Sequence, residues 1–329
     1  MTPRRSFLDN QPVIVQFFLL LGLVGLCTLI FTMLGMWLVK PLYGISGADL
    51  LIRDINNDPN SIADSPDKIN ALKVIQLVSS IGLFLVPAVV FAVMKRPDGD
   101  YLQIKRVPRI FWIVASLALM VCATPLVGWL YQLNLKLDLP LAGLMEMIRN
   151  AEEQATVLTK MFLRMPTFND LLFNLLLIAI LPAIAEEFFF RGVVQKLVYE
   201  GTRNVHAAVW ISAAIFSFMH FQFLGFLPRM FLGVVLGYLF AYSGSIWVSI
   251  VGHIFNNGSQ VVAAYLFQRG LSGYDIEDNT PAPVYVTLVS ALLTVALFYF
   301  MYKRRYVQAM PAAVSPDSHH SDPDDLPFV

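Results

Sequence analysis

The chain has 329 residues, 57% of them hydrophobic and only 14% charged, and its 23 Lys and Arg balance 23 Asp and Glu at zero net charge. Soluble domains carry about 25% charged residues, so this composition, with a mean hydropathy of +0.64, excludes an ordinary soluble fold. The neutral balance also removes any bulk electrostatic case for a nucleic-acid partner.

Long apolar runs recur along the sequence, which marks a polytopic membrane protein with an all-α transmembrane bundle. Arg4 and Arg5 precede the first run, as in a signal peptide. The stretch from Pro12 to Val39 is too long for a signal core and lacks a small-x-small cleavage site, so it reads as a retained span. About eight spans of the ~20 residues a bilayer needs are expected, at roughly 13–39, 71–94, 110–131, 169–195, 205–222, 227–243, 246–268 and 284–302. Cys27 and Cys122 fall inside apolar runs and read as small buried hydrophobes, not as a disulfide framework.

Threading these spans places Arg4, Arg5, Lys95, Arg96, Lys105, Arg106, Arg109, Lys196, Arg203 and Lys303 to Arg305 on one side. The positive-inside rule makes that side cytoplasmic, with both termini on it. The opposite side holds longer loops, one of them acid-rich (Asp49, Asp54, Asp58, Asp64, Asp67). Between the third and fourth spans, residues 141–165 alternate apolar and charged side chains at helical spacing, as in Leu144, Ile148 and Leu158 against Glu146, Glu152 and Lys160. This predicts an amphipathic helix at the interface or capping the bundle. From Pro311 onward the chain is rich in Ser, Pro, Asp and His and is expected to be disordered. His319 and His320 there read as solvated tail rather than a metal site. The chain thus divides into 1–132 (three spans and the acid-rich loop), 133–168 (the amphipathic region), 169–268 (spans four to seven), 269–305 (outer loop and last span) and 306–329 (tail).

Polar residues inside the spans carry the chemistry. Glu186 and Glu187 follow a run without a single polar side chain, and three phenylalanines separate them from Arg191. An ionised side chain at the bilayer centre costs at least ~2.5–3.5 kcal/mol on insertion scales. Glu187 and Arg191, four apart, share a helix face and can pair. Glu186 is turned ~100° away and is left to face something else. Pro182, one turn earlier, removes a helical hydrogen bond.

The next span ends in Phe216-Ser217-Phe218-Met219-His220, and the turn Gly201 to Asn204 lies between it and the glutamates. Arg203 is 17 residues from both Glu186 and His220. An antiparallel hairpin would therefore place those two side chains at matching depth, ~25 Å from the turn. The seventh span carries His253 and Asn257 four apart on one face; Asn256 is nearly as well placed. Of the five histidines only His220 and His253 lie deep in spans.

Each feature also has an ordinary reading. The glutamates with their phenylalanines could be an interfacial cluster in an aromatic belt. A lone intramembrane histidine or asparagine is most often interhelical glue. The weight comes from the set: acids, two histidines and an amide on three neighbouring spans.

That set resembles the CPBP family, the CAAX-protease and bacteriocin-processing intramembrane proteases, with Glu-Glu-x-x-x-Arg, Phe-x-x-x-His and His-x-x-x-Asn on successive spans. All three motifs stand here in order: Glu186, Glu187 and Arg191; Phe216 and His220; His253 and Asn257. The resemblance covers about residues 169–268. It implies an endopeptidase in which Glu186 and His220 activate a water and His253 and Asn257 stabilise the oxyanion. Glu187 and Arg191 would be a structural pair and Phe216 a packing residue. The implied partners are the lipid bilayer and a membrane protein or lipidated peptide substrate. No cofactor is favoured; zinc, held by Glu186, His220 and His253, is the alternative. A proton- or ion-coupled transporter would use the same residue types, and a non-catalytic scaffold is the third reading. No internal repeat supports the transporter.

Overall fold

The computed structural model describes residues 7–51, 62, 65–96, 100–137, 142–273 and 280–305, and among them the regular elements are all helical. Nine longer helices carry the architecture: α1 (Val13–Tyr43), α2 (Pro66–Lys95), α3 (Ile110–Leu135), α4 (Ala142–Phe162), α5 (Phe168–Thr202), α6 (Val205–Phe218), α7 (Phe226–Ser243), α8 (Ile246–Gln268) and α9 (Val284–Lys303). Six are long and apolar enough to cross a bilayer: α1, α2, α3, α5, α9, and α7 together with the turn Phe223–Gly225 before it. α8, at 23 residues, has the length, but His253, Asn256, Asn257, Ser259 and Gln260 make it polar. The eight expected spans correspond to α1 to α3 and α5 to α9. The tail, with His319 and His320, and most of the acid-rich loop lie outside the described residues.

The fifth expected span is shorter than its apolar run. α6 has 14 residues, about 21 Å of helix, against the ~30 Å of a hydrocarbon core. The helix stops at Phe218, and residues 219–222 turn back toward α7, with Phe221 at a left-handed φ of 51°. Non-helical backbone at this depth is tolerated where it is covered by protein or lines a wet cavity. Protein covers the turn here, and its His220 lines a cavity. Asn134 at the end of α3 donates to the Phe223 carbonyl at 2.8 Å and accepts from the Leu227 amide at 2.8 Å. From α4, Glu152 Oε1 accepts from the Leu224 amide at 2.8 Å. The amphipathic helix therefore caps this turn. Its Leu158, Met161 and Phe162 pack on a buried cluster that includes Val39, Ile69 and Leu72 of α1 and α2.

Several of the basic residues that the threading put on one side meet at the other end of the bundle. Lys95 Nζ lies 2.9 Å from both Gln16 Oε1 of α1 and Glu200 Oε2 of α5. Arg304 sits over the Phe111 ring at the start of α3, 5.1 Å from its centroid. The carbonyls of Ile104 and Arg106 accept from Trp247 Nε1 and Ser245 Oγ at the start of α8. Lys196 is buried in α5, donates to the Tyr101 carbonyl, and faces the Tyr101 and Phe240 rings at 4.7 and 5.6 Å.

α5 is the central helix, and its ends are well defined. Thr167 and Asp170 form a reciprocal capping box at the start. At the far end Arg203 takes a left-handed φ of 55° and Asn204 Oδ1 accepts from the Ala207 amide at 3.0 Å, which starts α6. The hairpin expected around residue 203 is thus present. Between its ends α5 widens into π-helical turns at Leu175–Ile180 and Phe190–Val194, which bracket the segment bearing both glutamates. Pro182 has no N–H to give the Ile178 carbonyl, and the first widened turn falls at that gap.

Phe188, Phe189 and Phe190 are buried, the last completely. They join Phe84 of α2 and Phe216 of α6, with ring centroids 5.0 to 5.6 Å apart for Phe84–Phe189, Phe84–Phe190 and Phe190–Phe216. They form core, which disposes of the aromatic-belt reading. α6 and α7 approach closely through Gly233 and Gly237, where an added Cβ would stand 3.0 Å from Ala213 Cβ and 2.9 Å from Val209 Cγ1. α3 and α8 do the same at Gly252, where a Cβ would meet Ser116 Oγ at 2.4 Å. Ser116 Oγ is itself bonded to the Val248 carbonyl at 3.0 Å and cannot turn away freely. Gly252→Val is therefore expected to destabilise the protein by about 1–3 kcal/mol through overpacking. Thermal unfolding in detergent checks this, and an unchanged midpoint would contradict the packing described.

Candidate active site

Glu187 holds three helices together. Its Oε1 accepts from Arg191 Nη1 at 2.7 Å within α5 and from His253 Nδ1 of α8 at 2.8 Å. Arg191 Nη2 donates to the Gly233 carbonyl of α7 at 2.9 Å. The guanidinium lies 5.1 Å from the Phe216 ring centroid. Both Glu187 and Arg191 are fully buried. The spacing-based ion pair is present. The bond to His253 was not legible from spacing, because it depends on which helix packs against that face of α5.

These bonds fix which ring nitrogens are available. A carboxylate oxygen can only accept, so His253 Nδ1 carries the proton and its Nε2 is left for a ligand. Nε2 stands 3.8 Å from Glu186 Oε2, beyond hydrogen-bond distance. His220 Nδ1 is 2.8 Å from the Phe216 carbonyl, which likewise only accepts. Its Nε2 therefore presents a lone pair when the ring is neutral. Phe216 sits between the two, with its ring 4.8 Å from that of His220 and 6.0 Å from that of His253.

Asn257 Nδ2 points at the Ile178 carbonyl at 3.4 Å, the one that Pro182 leaves without its helical donor. Asn256 Nδ2 donates to Asn257 Oδ1 at 3.0 Å. The two asparagines form a short chain, so the choice between them that spacing left open becomes a matter of coupling.

Glu186, His220, His253, Asn256 and Asn257 all line one cavity of about 480 Å³, within the ~300–1,000 Å³ usual for ligand pockets. The hairpin argument had brought Glu186 and His220 to matching depth, and both are on this wall. His220 lies in the turn two residues past the end of α6, so its position rests on the cap over that turn as much as on helical rise. Glu187, Arg191 and Phe216 support the wall. Sequence reasoning missed Arg229 of α7, which also lines the cavity. A lone arginine in an apolar run, Leu227-Pro228-Arg229-Met230-Phe231, was the signal available for it.

Zinc would need three converging donors. Among the described residues no three His, Cys, Asp or Glu side chains are grouped so as to hold a metal ion. Glu186, His220 and His253 line one cavity without forming such a group. Among the described residues the Glu186 side chain hydrogen-bonds to no protein group, and it lines the cavity. The cavity therefore offers one carboxylate, two open imidazole nitrogens and one amide, which is the equipment for moving a proton and binding developing negative charge.

Residues 168–259 match a family model described as type II CAAX prenyl endopeptidase Rce1-like. The matched segment runs from the start of α5 into α8 and contains every residue just named. No curated protein and no solved structure matches the chain.

Proposed function

We propose, from the premise that residues 168–259 form an Rce1-like domain consistent with a CPBP family intramembrane protease, that this multi-pass membrane protein is an endopeptidase acting on a membrane-associated protein or lipidated peptide. The observation that carries the reading is the single cavity of about 480 Å³ on which Glu186, His220, His253 and Asn257 converge.

In this reading Glu186 takes a proton from a water whose other hydrogen is held by the His220 Nε2 lone pair. The water oxygen bonds to the carbonyl carbon of the substrate. The carbonyl oxygen becomes an oxyanion, met by His253 Nε2–H and Asn257 Nδ2. Because Nδ1 of His253 already holds a proton for Glu187, an Nε2–H exists only on the imidazolium. Collapse of the tetrahedral intermediate breaks the C–N bond, and Glu186 returns its proton to the leaving amine. Asn256 holds Asn257 by its carbonyl oxygen and so orients the amide N–H₂.

The positive-inside rule, applied to Lys95, Arg106, Arg203 and Lys303 to Arg305, supports an orientation in a cell membrane with that end, and both termini, cytoplasmic. The substrate is any membrane-associated chain that presents an extended segment to the cavity, whether prenylated CAAX tail, peptide leader or anchored protein. The test is a mass-spectrometric comparison of membrane-protein termini in cells carrying the wild-type protein or His220→Ala. Termini present with the wild type and missing with His220→Ala are expected. Identical sets would sink the assignment of His220.

A further inference from the structure

Arg229 is the cation of the cavity that the proposed reaction does not use. It lies in the first turn of α7, on the same cavity wall as Glu186 and His220. Its guanidinium is held in place: Nη1 donates to the Gln222 carbonyl at 2.6 Å and Nη2 to Gln222 Oε1 at 2.5 Å. It also rests on Gly225, where a Cβ would stand 2.7 Å from Nη2 and 2.9 Å from Cζ. Only glycine leaves that room. Both partners on Gln222 are neutral, and among the described residues Arg229 makes no ion pair, whereas the buried Arg191 is paired with Glu187. Arginine has five N–H donors. With one hydrogen on each Nη spent on Gln222, three N–H donors remain for an anion.

We propose that Arg229 is a carboxylate subsite, which binds a negative charge of the substrate on the same wall as the reacting carbonyl. The inference rests on the endopeptidase reading above. The carboxylate has two sources, the free C-terminus of the substrate or an Asp or Glu side chain beside the scissile bond. Either would orient the chain across the cavity and, with a bidentate charged contact, contribute to binding about ten- to a hundredfold.

The experiment measures binding of short palmitoylated peptides with aliphatic residues near the C-terminus to the protein carrying Glu186→Gln, in lipid nanodiscs. Three versions are compared: free C-terminal acid, C-terminal carboxamide, and carboxamide with one internal Asp. Binding of either carboxylate-bearing peptide about tenfold or more tighter than the plain carboxamide is expected, and which one does so identifies the source. Arg229→Gln should erase that preference while leaving the plain carboxamide bound as before, and Arg229→Lys should restore part of it. Equal binding of all three peptides, or an equal loss for all three in Arg229→Gln, would overturn the proposal. Because binding is read without turnover, a peptide that binds with the expected preference but is never cleaved by the wild type would count against the endopeptidase reading and not against the subsite.

Discussion

Glu186→Gln is expected to abolish peptide cleavage and to leave the fold intact. Among the described residues the Glu186 side chain makes no hydrogen bond to another protein group, and His253 Nε2 is 3.8 Å away. Glutamine has the same shape and no charge to desolvate, so the packing around position 186 is kept. The reaction loses the group that takes the water proton and returns it to the amine. Loss of a general acid–base costs typically 10²–10⁴-fold. Turnover and thermal unfolding, measured on the same preparation, should therefore separate completely: activity gone, unfolding midpoint within error of the wild type.

Glu187→Ala is expected to remove both. This carboxylate is fully buried and carries two charge-assisted bonds from one oxygen, at 2.7 and 2.8 Å. Its removal leaves the Arg191 guanidinium buried without a carboxylate, a change that costs about 3–5 kcal/mol. It also releases His253 Nδ1, so the ring no longer has a fixed tautomer or a fixed direction for Nε2. Glu187→Gln keeps an acceptor oxygen for both donors but loses the charge that offsets Arg191, and should fall between the wild type and Glu187→Ala in stability. The adjacent acids then give opposite signatures. At position 186 stability survives the loss of activity, and at position 187 the two fall together. If Glu187→Ala unfolded at the wild-type temperature, the buried pair would not be the tie between α5, α7 and α8 described above.

The positions of the helices were legible because apolar runs have few other uses in a chain of this composition. The α5–α6 hairpin was legible for a different reason: 17 residues on each side of Arg203 is a constraint that holds whatever the neighbours do. So was the Glu187–Arg191 pair, which needs only one helix. What could not be read was everything decided by a second or third helix. His253 meets Glu187 because α8 packs on that face of α5, and nothing in the spacing of either helix names the other. The early stop of α6 at Phe218 is written in contacts from Asn134 and Glu152, both far away in sequence. Hydropathy reads on through residues 219–222 because Phe221 and its neighbours are apolar even though their backbone turns. Pro182 announced a missing hydrogen bond but not that a π-helical turn would absorb it. Arg229 was passed over because a single arginine near a span end is ordinarily a snorkelling residue, and its Gln222 and Gly225 supports appear only once the turn is folded.

The central claim is that Glu186 drives hydrolysis of a peptide bond within the membrane. The most direct measurement uses purified protein in liposomes with a membrane peptide, run in ¹⁸O-labelled water and read by mass spectrometry. The account predicts a new C-terminal carboxylate bearing one ¹⁸O with the wild type, and no such product with Glu186→Gln. Product formed by Glu186→Gln at the wild-type rate would contradict it, as would Glu186-dependent proton flux across the liposomes in the absence of any cleavage.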